Sequence, residues 1–307
     1  NPCSEIILRP YGFCNLTEVV IRATDTIEQI KEKIEIATIL GTFQSTLTDF
    51  PYLRKIWVKN AEEERLLGVS FTGIYDSKLF NNPEDKGIKE RLASLRDYAV
   101  EVNNGLADIL GINPAAAITC VKPSGTVSQL CDSASGIHPR HSQYYIRRVR
   151  ADNKDPLTQF MKDKGVPWEP DVMKPDSTTV FSFPQKAPKG AVVRDDIDAI
   201  KHLELWAVYQ EAWCEHKPSV TINVKEDEWM KVGAWVYDHF DEMSGVSFLP
   251  HDGGSYRQAP YEEITKDLYE AMLPTIPTSL DWDSLVEVDD NVEGVQTLAC
   301  TAGGCEI

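Results

Sequence analysis

The chain opens Asn1-Pro2-Cys3-Ser4-Glu5, an amide, a thiol and a carboxylate at alternating positions. In an extended segment alternate side chains share a face, so one surface would offer a hydrogen-bonding amide, a sulfur and an acid/base group together. The pattern N-x-C-x-E also arises by chance and is weak evidence alone. Cys14-Asn15-Leu16 follows the turn residues Pro10-Tyr11-Gly12, and a hairpin-like return would bring Cys14 near Cys3. The alternative is two unrelated buried thiols, the fate of most intracellular cysteines.

Lys122-Pro123-Ser124-Gly125-Thr126 lies between a strand candidate and a possible helix. Gly125 permits close backbone approach, Ser124 and Thr126 supply hydroxyls, and free N–H groups at a helix start attract anions. This is the best phosphate-site candidate in the chain, with an ordinary Pro-Ser-Gly turn as the alternative. Near the end, Cys300 and Cys305 flank Thr-Ala-Gly-Gly, an uncharged stretch suited to reversible disulfide exchange. They lack neighbouring ligands to complete a zinc set. His138 and His141 are close in sequence but have no carboxylate at metal-ligand spacing, so no metal centre is expected. Cys120, Cys131 and Cys214 sit in apolar contexts and are expected to pack.

These residues need a scaffold, and the hydrophobic pattern suggests one. A strand is expected at 17–21. A helix is expected from about Thr26, capped by Asp25 with Glu28 completing a capping box, its face Ile27, Ile30, Ile34 and Ala37, and Gly41 ending it. The clearest helix runs over 86–110, with Ile88, Leu92, Leu95, Ala99, Val102, Leu106 and Ile109 on one face and Gly111 and Pro114 as stops. Further strands are expected at 115–121, 144–149, 179–183, 220–224 and 246–249. Helices are expected at 197–213, 226–240 and 261–272. Such alternation predicts an α/β architecture with parallel strands.

Composition narrows the function classes. The 307 residues suit one large domain or two ordinary ones. A net charge of −17 argues against a general nucleic-acid-binding surface. No apolar run approaches the roughly 20 residues of a membrane span, and no signal-peptide pattern opens the chain. Seven cysteines are too sparse for a disulfide scaffold, and the odd count suggests a reducing compartment, so the cytoplasm is expected. Because position 1 is Asn, the sequence is expected to be part of something longer.

In order, NPCSEI (1–6), CNLTEV (14–19), LLGVSFTGIYD (66–76), KPSGT (122–126), GIHPRHSQYYIRRVR (136–150), HKPSVTINV (216–224), VSFLPHDGGSYRQAPYEEI (246–264) and CTAGGC (300–305) resemble the large subunit of ribonucleotide reductases. The resemblance is strongest to the adenosylcobalamin-dependent (class II) ribonucleoside-triphosphate reductases, over the C-terminal half of their catalytic chain. It implies the C-terminal half of a ten-stranded α/β barrel over 1–276, with the finger loop at its start. A flexible acidic tether and a redox-active cysteine tail would follow over 277–307.

By the same resemblance, Cys3 would carry the thiyl radical that takes the ribose 3′-hydrogen, a bond ordinary acid–base groups cannot break. Glu5 would remove the 3′-hydroxyl proton, and Asn1 would hydrogen-bond the sugar hydroxyls. Cys14 would be one of two thiols that reduce the sugar, its partner lying in the absent N-terminal half. Cys300 and Cys305 would re-reduce that pair and be regenerated by thioredoxin or a similar reductant. Pro123, Ser124, Gly125 and Thr126 would hold substrate phosphates. The implied cofactor is adenosylcobalamin, and the implied partners are a ribonucleotide, the reductant and the N-terminal half, without which the chain is expected to be inactive. Neither nucleic acid nor membrane is implied.

A diiron-dependent (class I) diphosphate reductase is the competitor. Those enzymes relay a radical through adjacent tyrosines on a late barrel strand, where this sequence has Ser247-Phe248-Leu249-Pro250, so class II is favoured. A non-catalytic assembling fragment is a further alternative. A plain thiol-disulfide protein is weakest, since the tail lacks C-x-x-C.

Overall fold

The computed structural model describes residues 3–251 and 257–286, together with the backbone of 300–301 and 304–305. In chain order the first elements are β1 (Asn15–Val20), α1 (Ile27–Gln44), α2 (Lys55–Glu64), β2 (Leu67–Thr72), α3 (Ile88–Leu110), β3 (Thr119–Cys120) and α4 (Val127–Leu130). Then come β4 (Tyr144–Asp152), α5 (Pro156–Asp163), β5 (Trp168–Pro170), β6 (Thr178–Lys186) and α6 (Ala199–Ala212). The last are β7 (Val220–Val224), α7 (Trp229–Asp238), β8 (Val246–Pro250), β9 (Tyr261–Glu263), α8 (Lys266–Met272), β10 (Cys300–Thr301) and β11 (Gly304–Cys305). They divide into two compact units, residues 1–139 with 194–251, and residues 140–193 with 252–306.

The first unit has the expected parallel α/β character. β1, β2 and β3 are parallel neighbours, with Asn15 opposite Leu67 and Ser70 opposite Cys120. β7 and β8 form a second parallel pair, and a bridge between Val121 and Pro218 continues β3 toward β7. Every residue of β2 is buried, as befits a parallel strand covered on both faces. That burial removes the alternation by which a strand is read, and neither β2 nor α2 was expected.

Helix α1 carries its apolar face at Ile30, Ile34 and Ala37, all buried. Its cap is Thr26 rather than Asp25: the Thr26 hydroxyl accepts from Gln29 N, and Gln29 Oε1 accepts from Thr26 N. Asp25 instead accepts from Arg22 N and pairs with Lys33. Gly41 does not end the helix. A Cβ there would lie 2.5 Å from Leu67 Cδ2, so Gly41 lets α1 approach β2 closely. Helix α3 stops at Gly111, whose φ of 66° gives the left-handed cap expected there. Buried Asn103 joins α3 to its surroundings, donating to Thr42 Oγ1 at 2.9 Å and accepting from Ala115 N at 2.8 Å.

Aromatic residues close this core. Phe71 of β2 stacks on Trp213 with centroids 3.9 Å apart. The Trp213 and Trp206 indoles donate to Cys120 O and Pro218 O, so neither buried N–H is left unsatisfied.

The second unit departs from expectation. The strands at 144–149 and 179–183 are not parallel: β4 pairs antiparallel with β6 over nine residues each, in a sheet ordered β5-β6-β4-β9. Periodicity locates a strand but does not orient its partner. The helix expected over 261–272 begins only at Lys266, capped by Thr265, because Tyr261–Glu263 pair with Tyr145–Arg147 as an edge strand. Trp282 packs on Phe160, with ring centroids 5.4 Å apart.

Candidate active site

The contacts of the opening turn, Cys14 and the Lys122–Thr126 turn lie within the first unit. Residues 3–6 form a turn, with Ser4 at a φ of 62°, so the expected extended alternation of residues 1, 3 and 5 does not hold. Asn1 lies outside the described residues. The turn is held from two sides. Lys217 N donates to Glu5 O at 3.0 Å, and Val121 N donates to Lys217 O, tying the turn to the end of β3. On the other side Gly245 precedes β8, and a Cβ on it would lie 2.9 Å from Ser4 Cβ.

This arrangement separates the two reactive groups. Cys3 is half-buried, whereas Glu5 has no exposed surface at all. Glu5 Oε1 accepts from Lys122 Nζ at 2.8 Å, while Oε2 is buried with no hydrogen-bond partner. An unpartnered buried carboxylate oxygen is costly, and it is the kind of group that awaits a donor. Lys122 is itself half-buried, and burial opposes its charge. The hydrogen bond it donates to Glu5 and that residue's charge, with Cys3 and Cys120 beyond, outweigh that and hold the ammonium above its ordinary value.

Cys14 lies just before β1, close enough to feel the charge of this carboxylate. Burial, then the charge of Glu5, push its thiol up to about 12, against weaker opposition from the Asn15 N–H and Lys122. Cys14 and Ile6 meet over Gly68. A Cβ on Gly68 would lie 2.9 Å from Ile6 Cδ1 and 3.2 Å from Cys14 Sγ.

The Lys122–Thr126 turn leaves β3 directly. Pro123 and Ser124 are buried, Gly125 is half-buried and Thr126 is exposed. Ser124 has a φ of 56°, and Ser135 Oγ donates to the carbonyls of Pro123 and Ser124. Gly136 seats the turn from behind, since a Cβ there would lie 2.5 Å from Lys122 O. The Ser124 and Ser128 hydroxyls are buried without a well-formed hydrogen bond. The helix that follows, α4, is a single turn, so the hydroxyls rather than a helix terminus are the notable donors.

Sequence reasoning missed three neighbours. Glu18 of β1 faces the turn; burial raises its carboxyl, opposed by the adjacent Ser124 hydroxyl and Lys122. Ser70 Oγ of β2 accepts from Lys122 N at 2.8 Å. Lys122 was read as the lead-in to a phosphate turn and not as the partner of Glu5. Nothing in local spacing could have joined positions 5, 18, 70 and 122; only the strand order does.

Other candidates are placed differently. His138 donates from Nδ1 to Ser135 O and accepts at Nε2 from Thr221 N, so both ring nitrogens serve the backbone. Cys120 and Cys214 are buried as expected, while Cys131 is half-buried. The side chains of Cys300 and Cys305 lie outside the described residues. Their backbones pair in a short antiparallel ladder with Cys300 opposite Cys305.

The parallel α/β unit carries a cysteine–glutamate turn beside a serine-bearing loop, and the chain's fold is similar to that of a class II ribonucleotide reductase. No family model matches the sequence. The chain is 29% identical to the adenosylcobalamin-dependent ribonucleoside-triphosphate reductase of Lactobacillus acidophilus, across 100% of this chain and 45% of that protein. It is 28% identical to the enzyme of the same name from Euglena gracilis, across 99% and 41%. Among solved structures, a B12-dependent (class II) ribonucleotide reductase matches with a TM-score of 0.73 and 27% identity, over 90% of this chain and 42% of that one. The α subunit of the Actinobacillus ureae class Id enzyme matches at a TM-score of 0.50 and 14% identity, a likeness of fold alone. The resemblance read from the motifs therefore holds along the whole chain, and the α/β expectation is borne out. The chain spans less than half the length of these curated relatives. Among the described residues no helix is long and apolar enough to cross a membrane.

Proposed function

We propose that this chain supplies the radical-cysteine part of an adenosylcobalamin-dependent ribonucleoside-triphosphate reductase. The observation that carries the reading is the meeting of Cys3, Glu5, Cys14 and the Lys122–Thr126 turn within one unit, in a chain similar throughout to such enzymes. When bound, adenosylcobalamin would supply the radical chemistry that this set of side chains cannot generate. The half-buried Cys3 thiol fits that contact, because a sulfur exchanging a hydrogen atom with an outside group cannot be sealed in the core.

In this reading the Cys3 sulfur removes the ribose 3′-hydrogen. The free Oε2 of Glu5 accepts the 3′-hydroxyl proton, and the 2′-hydroxyl, taking a proton from one of the two reducing thiols, leaves as water. Asn1 would bind the sugar hydroxyls. Cys14, protonated at neutral pH, supplies a hydrogen and an electron together with a second thiol outside this chain. The resulting disulfide is re-reduced by Cys300 and Cys305, and these by thioredoxin or a similar reductant. Pro123, Ser124, Gly125 and Thr126 hold the phosphates, with the buried Ser124 hydroxyl beside Glu18 as donor. The remaining, N-terminal part of the enzyme completes the site, residues 1–276 being the barrel portion and 277–307 the tether and tail. The cytoplasm suits such thiol chemistry.

The test is reconstitution. This chain joined to the N-terminal part should reduce a ribonucleoside triphosphate only with adenosylcobalamin and a dithiol, without an iron-containing subunit. Turnover with a diiron subunit in cobalamin-free buffer would favour the class I reading instead.

A further inference from the structure

We propose that Lys122 is a positioning residue that holds Glu5 as a carboxylate with one oxygen occupied and the other free for substrate. This rests on Glu5 being the acid/base group of the proposed function. Three observations lead to it. Glu5 is wholly buried, and a buried carboxylate without a partner tends to take up a proton and become neutral. The one described hydrogen-bond partner of its carboxylate is Lys122, which engages Oε1 alone and leaves Oε2 open. The backbones on both sides are fixed, Glu5 O by Lys217 N and Lys122 N by Ser70 Oγ.

The placement does two things. It decides which carboxylate oxygen is the base, since the lone pairs of Oε1 already point at the ammonium. It also ties acid/base geometry to phosphate binding, because Lys122 is the first residue of the Lys122–Thr126 turn. When Oε2 takes the hydroxyl proton, the substrate O–H bond breaks, its electron pair stays on oxygen and the carboxyl becomes neutral. Lys122 is then left facing an uncharged group, which favours returning the proton later in the cycle. The other titratable groups around the pair are Cys3, Cys14, Glu18, Cys120 and His216. Lys122 is the cation nearest Glu5 among the described contacts.

Infrared spectroscopy of the intact chain at pH 7 tests the proposal directly. Wild type should show no protonated-carboxyl band assignable to Glu5. Lys122→Met should show one, it should vanish in Lys122→Met/Glu5→Gln, and Lys122→Arg should not show it. A folded Lys122→Met chain without that band would overturn the proposal. If Lys122→Met does not fold, 15N detection of the Lys122 ammonium decides: its deprotonation should move to lower pH in Glu5→Gln, and an unchanged midpoint overturns the proposal. In the complete enzyme, Lys122→Met should lose about 10²-fold or more of turnover at neutral pH, with partial rescue in Lys122→Arg. Normal turnover of Glu5→Gln would instead overturn the assignment of Glu5 itself, whatever the infrared result.

Discussion

Gly68 and Cys14 touch so closely that the glycine has no room for a side chain: an added Cβ would lie 3.2 Å from Cys14 Sγ and 2.5 Å from Leu16 Cδ2. Strand β2 thereby makes room for the thiol beside Ile6, within reach of the charge of Glu5. Gly68→Ala should overpack this contact and destabilise the unit by about 1–3 kcal/mol. Displacing Cys14 should also speed its alkylation. Denaturant unfolding and peptide mass spectrometry check both effects, and an unchanged protein would show that the glycine is not needed for space.

Cys14 should be a poor nucleophile until something changes around it. With its thiol pushed up to about 12 by burial and then by Glu5, almost none is thiolate at pH 8. Iodoacetamide should modify Cys14 more slowly than Cys131, although both are half-buried. Glu5→Gln removes the second cause, so the Cys14 rate at a given pH should rise, by up to about tenfold per pKa unit recovered. Equal rates for Cys14 and Cys131 would contradict the raised Cys14 thiol.

Much of this site was legible before the fold. Cys3, Glu5, Cys14 and the Lys122–Thr126 turn each carry side chains whose chemistry is readable by type. What could not be read was their connection. The alternating-face geometry expected for residues 1–5 gives way to a turn at Ser4, because the segment is set by Gly245 and Lys217 rather than by a neighbouring strand. Strand β2 escaped notice because burial on both faces erases its pattern, and with it went Ser70, the residue that fixes Lys122. The antiparallel sheet of the second unit escaped because pairing direction depends on distant partners.

Acid should unfold the first unit through its histidine pair. Burial lowers His138 to about 4, and burial with His138 as neighbour lowers His202 to about 3. The unfolded chain binds these protons near pH 6.5 while the folded chain refuses them. Stability is therefore full above about pH 6.5 and falls as pH drops toward 4. At pH 5 the loss should approach about 2 kcal/mol per histidine. Urea midpoints at pH 7.5 and pH 5 measure it, and His202→Gln should flatten the difference; an equal dependence in that variant would remove the histidine from the cause.

The tail makes a kinetic prediction in the complete enzyme. If the proposed roles hold, replacing Cys300 and Cys305 by Ser should spare the first turnover, since Cys14 and its partner would hold their own electrons. Later turnovers with thioredoxin should stop, and a small dithiol should restore them in part. Normal cycling of the double variant with thioredoxin would remove the tail from the electron path.

The most direct measurement is turnover by Cys3→Ser in the reconstituted enzyme with adenosylcobalamin, a ribonucleoside triphosphate and dithiol. A serine keeps the size and position of the side chain but cannot carry a sulfur radical. Deoxynucleotide formation should fall to background while circular dichroism and the unfolding midpoint match the parent protein. Deoxynucleotide production at the parent rate would contradict the placement of the radical at Cys3.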